Sequence, residues 1–221
     1  DSVLSGDSAI LDLGCGTGFA VPELCHLGAK QVVGADLAHA MCEVSRDKLT
    51  NLPFHAVNCD AENLPFADNS FDGIFSNLMI QWSEDLDALF YQAHRVLKPG
   101  ALFAFSTLGP NTMHELKAAW QKVDPYVHVN QFNPPEVLIE QCERFFDIES
   151  FHQQACIQQH AGLSPLLKEL KAIGATNVNP GRRPGLGGRE RLRLLEQAYQ
   201  QISGETLSLT YDLIWVIARK I

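Results

Sequence analysis

Three glycines alternate with single residues in Gly14-Cys-Gly-Thr-Gly18, and an acid, Asp12, stands just before them. Glycine permits positive φ and lets a backbone approach a ligand closely. A strand that runs into such a turn and leaves it as a helix is a cradle for a nucleoside-like cofactor. The spacing selects the kind. A dinucleotide fingerprint needs its third glycine one place beyond Gly18, where this chain has Phe19. Asp12 would repel a pyrophosphate, yet it suits an ammonium group. S-adenosylmethionine has an α-amino group and no phosphate, so Asp12, Gly14, Cys15, Gly16 and Gly18 are expected to hold it.

Two more acids fall at strand ends. Residues 31–35 read as a second strand ending at Asp36, and 54–59 as a third ending at Asp60. Asp36 is placed to accept from both ribose hydroxyls, and Asp60 to take the adenine amino group. Leu37 and Ala61 are expected on the adenine faces. Met41, Glu62, Asn77 and Leu78 complete the expected cofactor contacts. Each acid alone could be a helix N-cap. Acids at successive strand ends point instead to a ligand, because open α/β sheets bind theirs at the carboxyl ends of strands.

The elements that position these residues follow from periodicity. Residues 9–13, 71–76 and 101–105 read as further strands. Helices are expected over 19–27, 41–49 and 86–97, the last stopped by Lys98-Pro99-Gly100. Strands alternating with helices imply a parallel sheet with right-handed crossovers. After Ser106 the rhythm changes. Helices are expected over 111–123, 134–144, 164–173 (capped by Ser164) and 190–202, with an extended run over 148–158. The β-rich end, 207–218, suits an antiparallel strand closing the sheet. The expected fold is α/β and Rossmann-like: a mostly parallel seven-stranded sheet, helices on both faces, and an antiparallel C-terminal strand. The 221 residues are read as one domain, with 107–190 containing a lid or substrate-binding insertion.

Bulk properties narrow the function. Apolar residues make up 46% and charged residues 19%, the balance of an ordinary soluble globule. No apolar run reaches the roughly 18–20 residues of a membrane span. The opening Asp1-Ser-Val-Leu-Ser-Gly has neither the basic nor the apolar region of a signal peptide. The six cysteines form no C-x-x-C pair and no zinc-like cluster, so no metal site is expected and they read as reduced thiols in the cytoplasm. A net charge of −9 argues against a general nucleic-acid binder. The charge is uneven, however: Lys168, Lys171, Arg182, Arg183, Arg189, Arg191 and Arg193 face only Glu169 and Glu190. This basic island is either a solvated face or a surface for an acidic partner.

The strings Ile10-Leu-Asp-Leu-Gly-Cys-Gly-Thr-Gly18, Asp60-Ala-Glu-Asn-Leu-Pro-Phe66, Phe71-Asp72 and Arg95-Val-Leu-Lys-Pro-Gly100 resemble class I methyltransferases of the type 11 kind. Further strings are more specific: Phe75-Ser-Asn-Leu-Met-Ile-Gln-Trp82, Phe105-Ser-Thr-Leu-Gly-Pro-Asn-Thr112, Leu170-Lys-Ala-Ile-Gly-Ala-Thr-Asn177 and Leu209-Thr-Tyr211. Together they resemble the malonyl-acyl-carrier protein O-methyltransferases of biotin synthesis. That resemblance implies methylation of a free malonyl carboxyl, carried on an acidic acyl-carrier protein or on CoA. It implies docking of the carrier on the basic 168–193 region, with no nucleic acid or membrane as partner. Two departures stand out. The family's N-terminal helical segment, with an aromatic near the cofactor, is expected to be missing. Also, Gly185-Leu-Gly-Gly-Arg189 has glycine where Thr or Ser is expected.

The acceptor carboxylate is ionised at neutral pH, so no general base is expected. The rate must come from alignment and from exclusion of water. Gln81 and Trp82, after the fourth strand, are the expected positioning residues, and their alternative role is helix-start packing. Arg182 and Arg183 are candidates to orient the carboxylate by a bidentate fork, as is Arg189. His114 and His128 are weak candidates for a base, and Tyr211 reads as core. Two alternatives remain open: another small-molecule methyltransferase, such as a quinone-ring C-methylase, and a non-catalytic cofactor-binding regulator.

Overall fold

The computed structural model describes residues 8–172 and 188–221. Among these residues the strands are β1 (Ser8–Leu13), β2 (Ala29–Asp36), β3 (Phe54–Asn58), β4 (Phe71–Asn77), β5 (Leu97–Leu108), β6 (Phe146–His160) and β7 (Leu207–Lys220). They form one sheet in the order β3-β2-β1-β4-β5-β7-β6. Strand β1 pairs in parallel with both β2 and β4, and the parallel set continues through β2–β3 and β4–β5. The C-terminal strand runs antiparallel, as its β-rich sequence led one to expect. The reversal of strand order falls at β1, where β2 lies on one side and β4 on the other. That is the switch point at which open α/β sheets bind ligands.

Among the described residues the helices are α1 (Val21–His26), α2 (His39–Lys48), α3 (Leu86–Val96), α4 (His114–Gln121), α5 (Pro135–Cys142), α6 (Leu163–Ala172) and α7 (Arg189–Ser203). Helix α3 shows the logic most clearly. Leu86, Leu89, Phe90, Ala93 and Val96 recur at helical spacing, and all five are buried. Asp85 caps its start by accepting from the Ala88 amide at 3.0 Å. The Lys98-Pro99-Gly100 stop is also a kink in β5. Leu97 pairs with Phe71 but Leu102 with Gly73, so the intervening residues bulge out of register.

Boundaries differ from the sequence expectation in three informative places. Helix α1 begins at Val21 rather than residue 19, because the glycine turn runs on to Gly18, whose φ is 73°. Strand β3 ends at Asn58, leaving Asp60 in the loop beyond. Ser164 is not the cap of α6. The helix starts at Leu163, whose amide donates to Glu196 Oε1 on α7.

The described residues cluster into two compact units. The first holds the residues up to Thr107, together with Pro134–His152 and Ile214–Ile221. Its main core joins Leu11, Leu13, Phe71 and Ile74 to the buried face of α3, and Phe90, Phe103, Phe105 and Phe146 pack edge-on or tilted. The second unit comprises Leu108–Asn133 and Gln153–Leu213. Its core is built from Leu116, Trp120, Leu166, Leu195, Tyr199 and Leu207. Two buried acids are satisfied there: Glu115 accepts from the Thr210 amide and hydroxyl, and Asp212 from Gln153 and the Asn111 amide.

Candidate functional site

The first unit brings the predicted donor residues together at the carboxyl ends of β1, β2 and β3. The Gly14 and Cys15 amides both donate to Ala35 O, at 2.7 and 3.1 Å, which folds the turn back onto the end of β2. Gly14 has φ 76° and Gly18 has φ 73°. A Cβ at Gly14 would collide with the Met79 side chain, and one at Gly18 with Leu49. Both positions therefore require glycine on two grounds, backbone conformation and space.

Asp12 lies beneath this turn and is 2% exposed. Its Oδ2 has no hydrogen-bond partner. Burial, with the Asp36 carboxylate as a second cause, pushes its pKa up to about 7. Such a group gains from a cation beside it. Asp36 is half-buried. Its Oδ2 accepts from the Gly16 amide and its Oδ1 from the Ala38 amide, both at 2.8 Å. Asn58 Nδ2 donates to the carbonyls of Asp36 and Leu37, joining the ends of β2 and β3. Asp60 is exposed, and its Oδ1 accepts from the Glu62 amide at 2.9 Å. Cys15 is buried. Burial first, then the nearby Asp12 and Asp36 carboxylates, push its thiol far up, so it fills space as a neutral group. An orphaned buried carboxylate oxygen beside a positive-φ turn fits the ammonium of S-adenosylmethionine.

Leu37 is 73% exposed and Met41 40%, and Phe19, directly after the turn, is 84% exposed. Large apolar side chains left in water beside a cradle make apolar walls for a ligand.

The acceptor side is built on the end of β4. Leu78 takes φ 51°, a conformation few non-glycine residues adopt. Ser106 of β5 holds it there: the Leu78 amide donates to both Ser106 O and Ser106 Oγ at 3.1 Å, and Ser106 Oγ donates to Asn77 Oδ1 at 2.7 Å. Ser76 Oγ donates to Leu13 O, tying β4 to the end of β1. Gln81 and Trp82 lie in a single 3-10 turn, Ile80–Trp82. Gln81 Nε2 donates to Leu78 O, and its Oε1 accepts from Thr107 Oγ1 at 3.2 Å. Trp82 remains 43% exposed.

Three residues that carry this geometry are absent from the sequence expectation: Met79, Ser76 and Ser106. The two serines had a signal, being small polar residues at the ends of otherwise apolar strands. Met79 had none, since its contact with Gly14 is made only by the fold.

Other expected residues fare differently. Arg182, Arg183 and most of the loop around them lie outside the described residues. In the second unit, His128 pairs with Asp124 at 2.8 Å and stacks on Trp120 at 3.7 Å, so it fastens the fold. His114 Nδ1 is engaged with Asn111 O at 3.0 Å. Tyr211 donates to Glu169 at 3.5 Å, and burial pushes its phenol up to about 12. Arg191 corrects the docking expectation. It forms an ion pair with Asp124, its guanidinium lies over Trp120, and only 17% of its side chain is exposed. Lys168, Lys171, Arg189 and Arg193 do reach the surface.

Residues 11–105 match the methyltransferase domain family. The chain is 41% identical over 215 residues to the biotin biosynthesis bifunctional protein BioHC of Saccharophagus degradans, covering 92% of this chain and 38% of that one. This chain thus spans about two fifths of the first such relatives. It is 36% identical over 208 residues to the malonyl-acyl-carrier protein O-methyltransferase of Yersinia pestis, covering 93% of this chain and 75% of the relative. Among solved structures, an S-adenosylmethionine dependent methyltransferase from Mesorhizobium loti superposes with a TM-score of 0.60 at 21% identity, over 97% of this chain and 92% of the other. That likeness speaks for the fold alone. Because relatives at 34–36% identity are covered over most of their length, the chain belongs to the malonyl-acyl-carrier protein O-methyltransferase family.

Proposed function

We propose that the protein methylates the free carboxylate of a malonyl thioester, carried on acyl-carrier protein or CoA, as an early step of biotin synthesis. The observation that carries this reading is the buried Asp12 with its unpartnered oxygen under the glycine turn, in a chain of this family. S-adenosylmethionine, when bound, supplies an electrophilic methyl group on a sulfonium. Asp12 would accept from its ammonium. Asp36 keeps lone pairs for the ribose hydroxyls beyond those that hold Gly16 and Ala38. Asp60 would take the adenine amino group, and Leu37, Met41 and Ala61 would exclude water from the ring faces.

The chain's residues have no proton to remove from the acceptor, because a carboxylate is already ionised at neutral pH. This agrees with His114 and His128 being engaged elsewhere. Charge is neutralised as a sulfonium and a carboxylate become neutral products, so an apolar surround favours the transition state. Trp82 and Leu78 provide that surround, Gln81 orients the acceptor, and Arg182 and Arg183 are the proposed carboxylate clamp. The acidic carrier docks on Lys168, Lys171, Arg189 and Arg193, Arg191 being excluded by its ion pair. Six free cysteines suit a reducing compartment such as the cytoplasm.

A panel of acceptors offered with radiolabelled donor tests this reading. Malonyl thioesters should take the label, while acetyl thioesters and a quinone precursor should not. Label in the quinone ring would support the C-methylase instead. Donor binding without any transfer would support a regulator.

A further inference from the structure

Glu62 was expected among the cofactor contacts, and one oxygen of its carboxylate holds the loop after β4. Its Oε1 accepts from Ser83 Oγ at 2.7 Å, from the Glu84 amide at 2.7 Å and from the Asp85 amide at 3.0 Å. Partial burial alone would raise its pKa. The bonds from Asp85, Ser83 and Glu84 outweigh that and hold it below the ordinary carboxylate value. Its own amide donates to Asp60 Oδ1 at 2.9 Å. Residue 62 is therefore gripped by Asp60 on one side and grips residues 83–85 on the other.

Those residues sit between two functional elements. They follow directly on the turn that carries Gln81 and Trp82, and they end in Asp85, the cap of α3. Glu84 and Asp85 are exposed, so without Glu62 their amides would be hydrated and the segment free to move. One side chain thus bridges the loop after β3 to the loop after β4.

We propose that Glu62 is a positioning residue that couples occupancy of the donor site at Asp60 to the placement of Gln81 and Trp82 at the acceptor mouth. A ligand that restrains Asp60 restrains the Glu62 backbone, and through its carboxylate the 83–85 segment. By linkage, the acceptor then favours the donor by the same factor. The two ends are assigned by the reading under Proposed function, but the coupling itself is measurable with the donor side alone.

Hydrogen exchange at the amides of residues 79–88, with and without S-adenosylhomocysteine, tests it in the wild type, Glu62→Ala and Glu62→Gln. In the wild type, the ligand should slow exchange across the whole segment. In Glu62→Ala, the ligand should bind with near wild-type affinity while residues 79–82 no longer respond. Glu62→Gln keeps an oxygen acceptor and should retain part of the response. Ser83→Ala, which removes one donor and leaves the carboxylate, should give a partial loss and serves if Glu62→Ala unfolds. In turnover, Glu62→Ala should raise the acceptor KM roughly tenfold with a smaller change in kcat. The proposal is overturned if Glu62→Ala instead weakens S-adenosylhomocysteine binding tenfold or more, which would make Glu62 a direct ligand. It is equally overturned if residues 79–82 respond as in the wild type. A failure to methylate malonyl thioesters would count against the acceptor assignment and leave the exchange result standing.

Discussion

At Asp12, burial and the neighbouring Asp36 carboxylate raise the pKa from 3.8 to about 7 in the free protein. The sign of the consequence follows directly. Between those two pH values the folded protein binds a proton that the unfolded chain has lost, so stability falls as pH rises through that window. An ammonium beside Asp12 reverses the preference, because it pairs with the ionised form. Donor affinity should therefore rise with pH up to about 7 and level off above it, with a proton released on binding below that point. Calorimetry in buffers of different ionisation enthalpy measures both effects. Asp12→Asn should weaken S-adenosylhomocysteine by roughly 10–100-fold, the scale of a hydrogen bond to a charged group. It should also remove the pH dependence. A variant that binds as tightly as the wild type would show that Asp12 faces no cation.

At the scale of elements, the glycine turn and β4 are fitted to each other through Gly14 and Met79. Gly14→Ala should destabilise the protein by about 1–3 kcal/mol from backbone strain alone, with the Met79 collision added. Thermal unfolding of Gly14→Ala and of Gly14→Ala with Met79→Ala separates the two causes. The second substitution should recover only the steric part. Helix α7 carries the complementary lesson. Arg191 stands four residues before Leu195, on the same stripe as the buried Leu195, Ala198 and Tyr199. That spacing marks the inner face of α7, whereas the partner Asp124 is brought there only by the fold. Arg191→Glu should cost about 3–5 kcal/mol through the broken pair with Asp124. Its effect on turnover would then report unfolding and not docking.

Over the whole molecule, the sequence was most informative where chemistry and backbone conformation coincide. The spacing of Gly14, Gly16 and Gly18 predicted a turn of positive φ, and the structure has it at all three. Short apolar runs separated by helical segments predicted the parallel strands, because strands buried on both faces leave little choice of residue. Contacts distant in the chain were not legible. Met79 behind Gly14, Ser106 under Leu78 and Glu196 at the start of α6 depend on which elements the fold brings side by side. The proposed carrier-docking surface belongs to this scale as well. Arg193→Glu and Lys168→Glu should raise KM for malonyl-acyl-carrier protein several-fold at low salt and much less at high salt, since exposed charges act through screened fields. Malonyl-CoA should be little affected. Equal losses with both substrates would remove the docking assignment.

The proposed reaction is defined by the atom that receives the methyl group. Mass spectrometry of malonyl-acyl-carrier protein after incubation with the protein and S-adenosylmethionine addresses it directly. A single added methyl on the malonyl unit is expected, released as methanol by mild base, as a carboxylic ester must be. A base-stable methyl group, or one on the protein portion of the carrier, would contradict it.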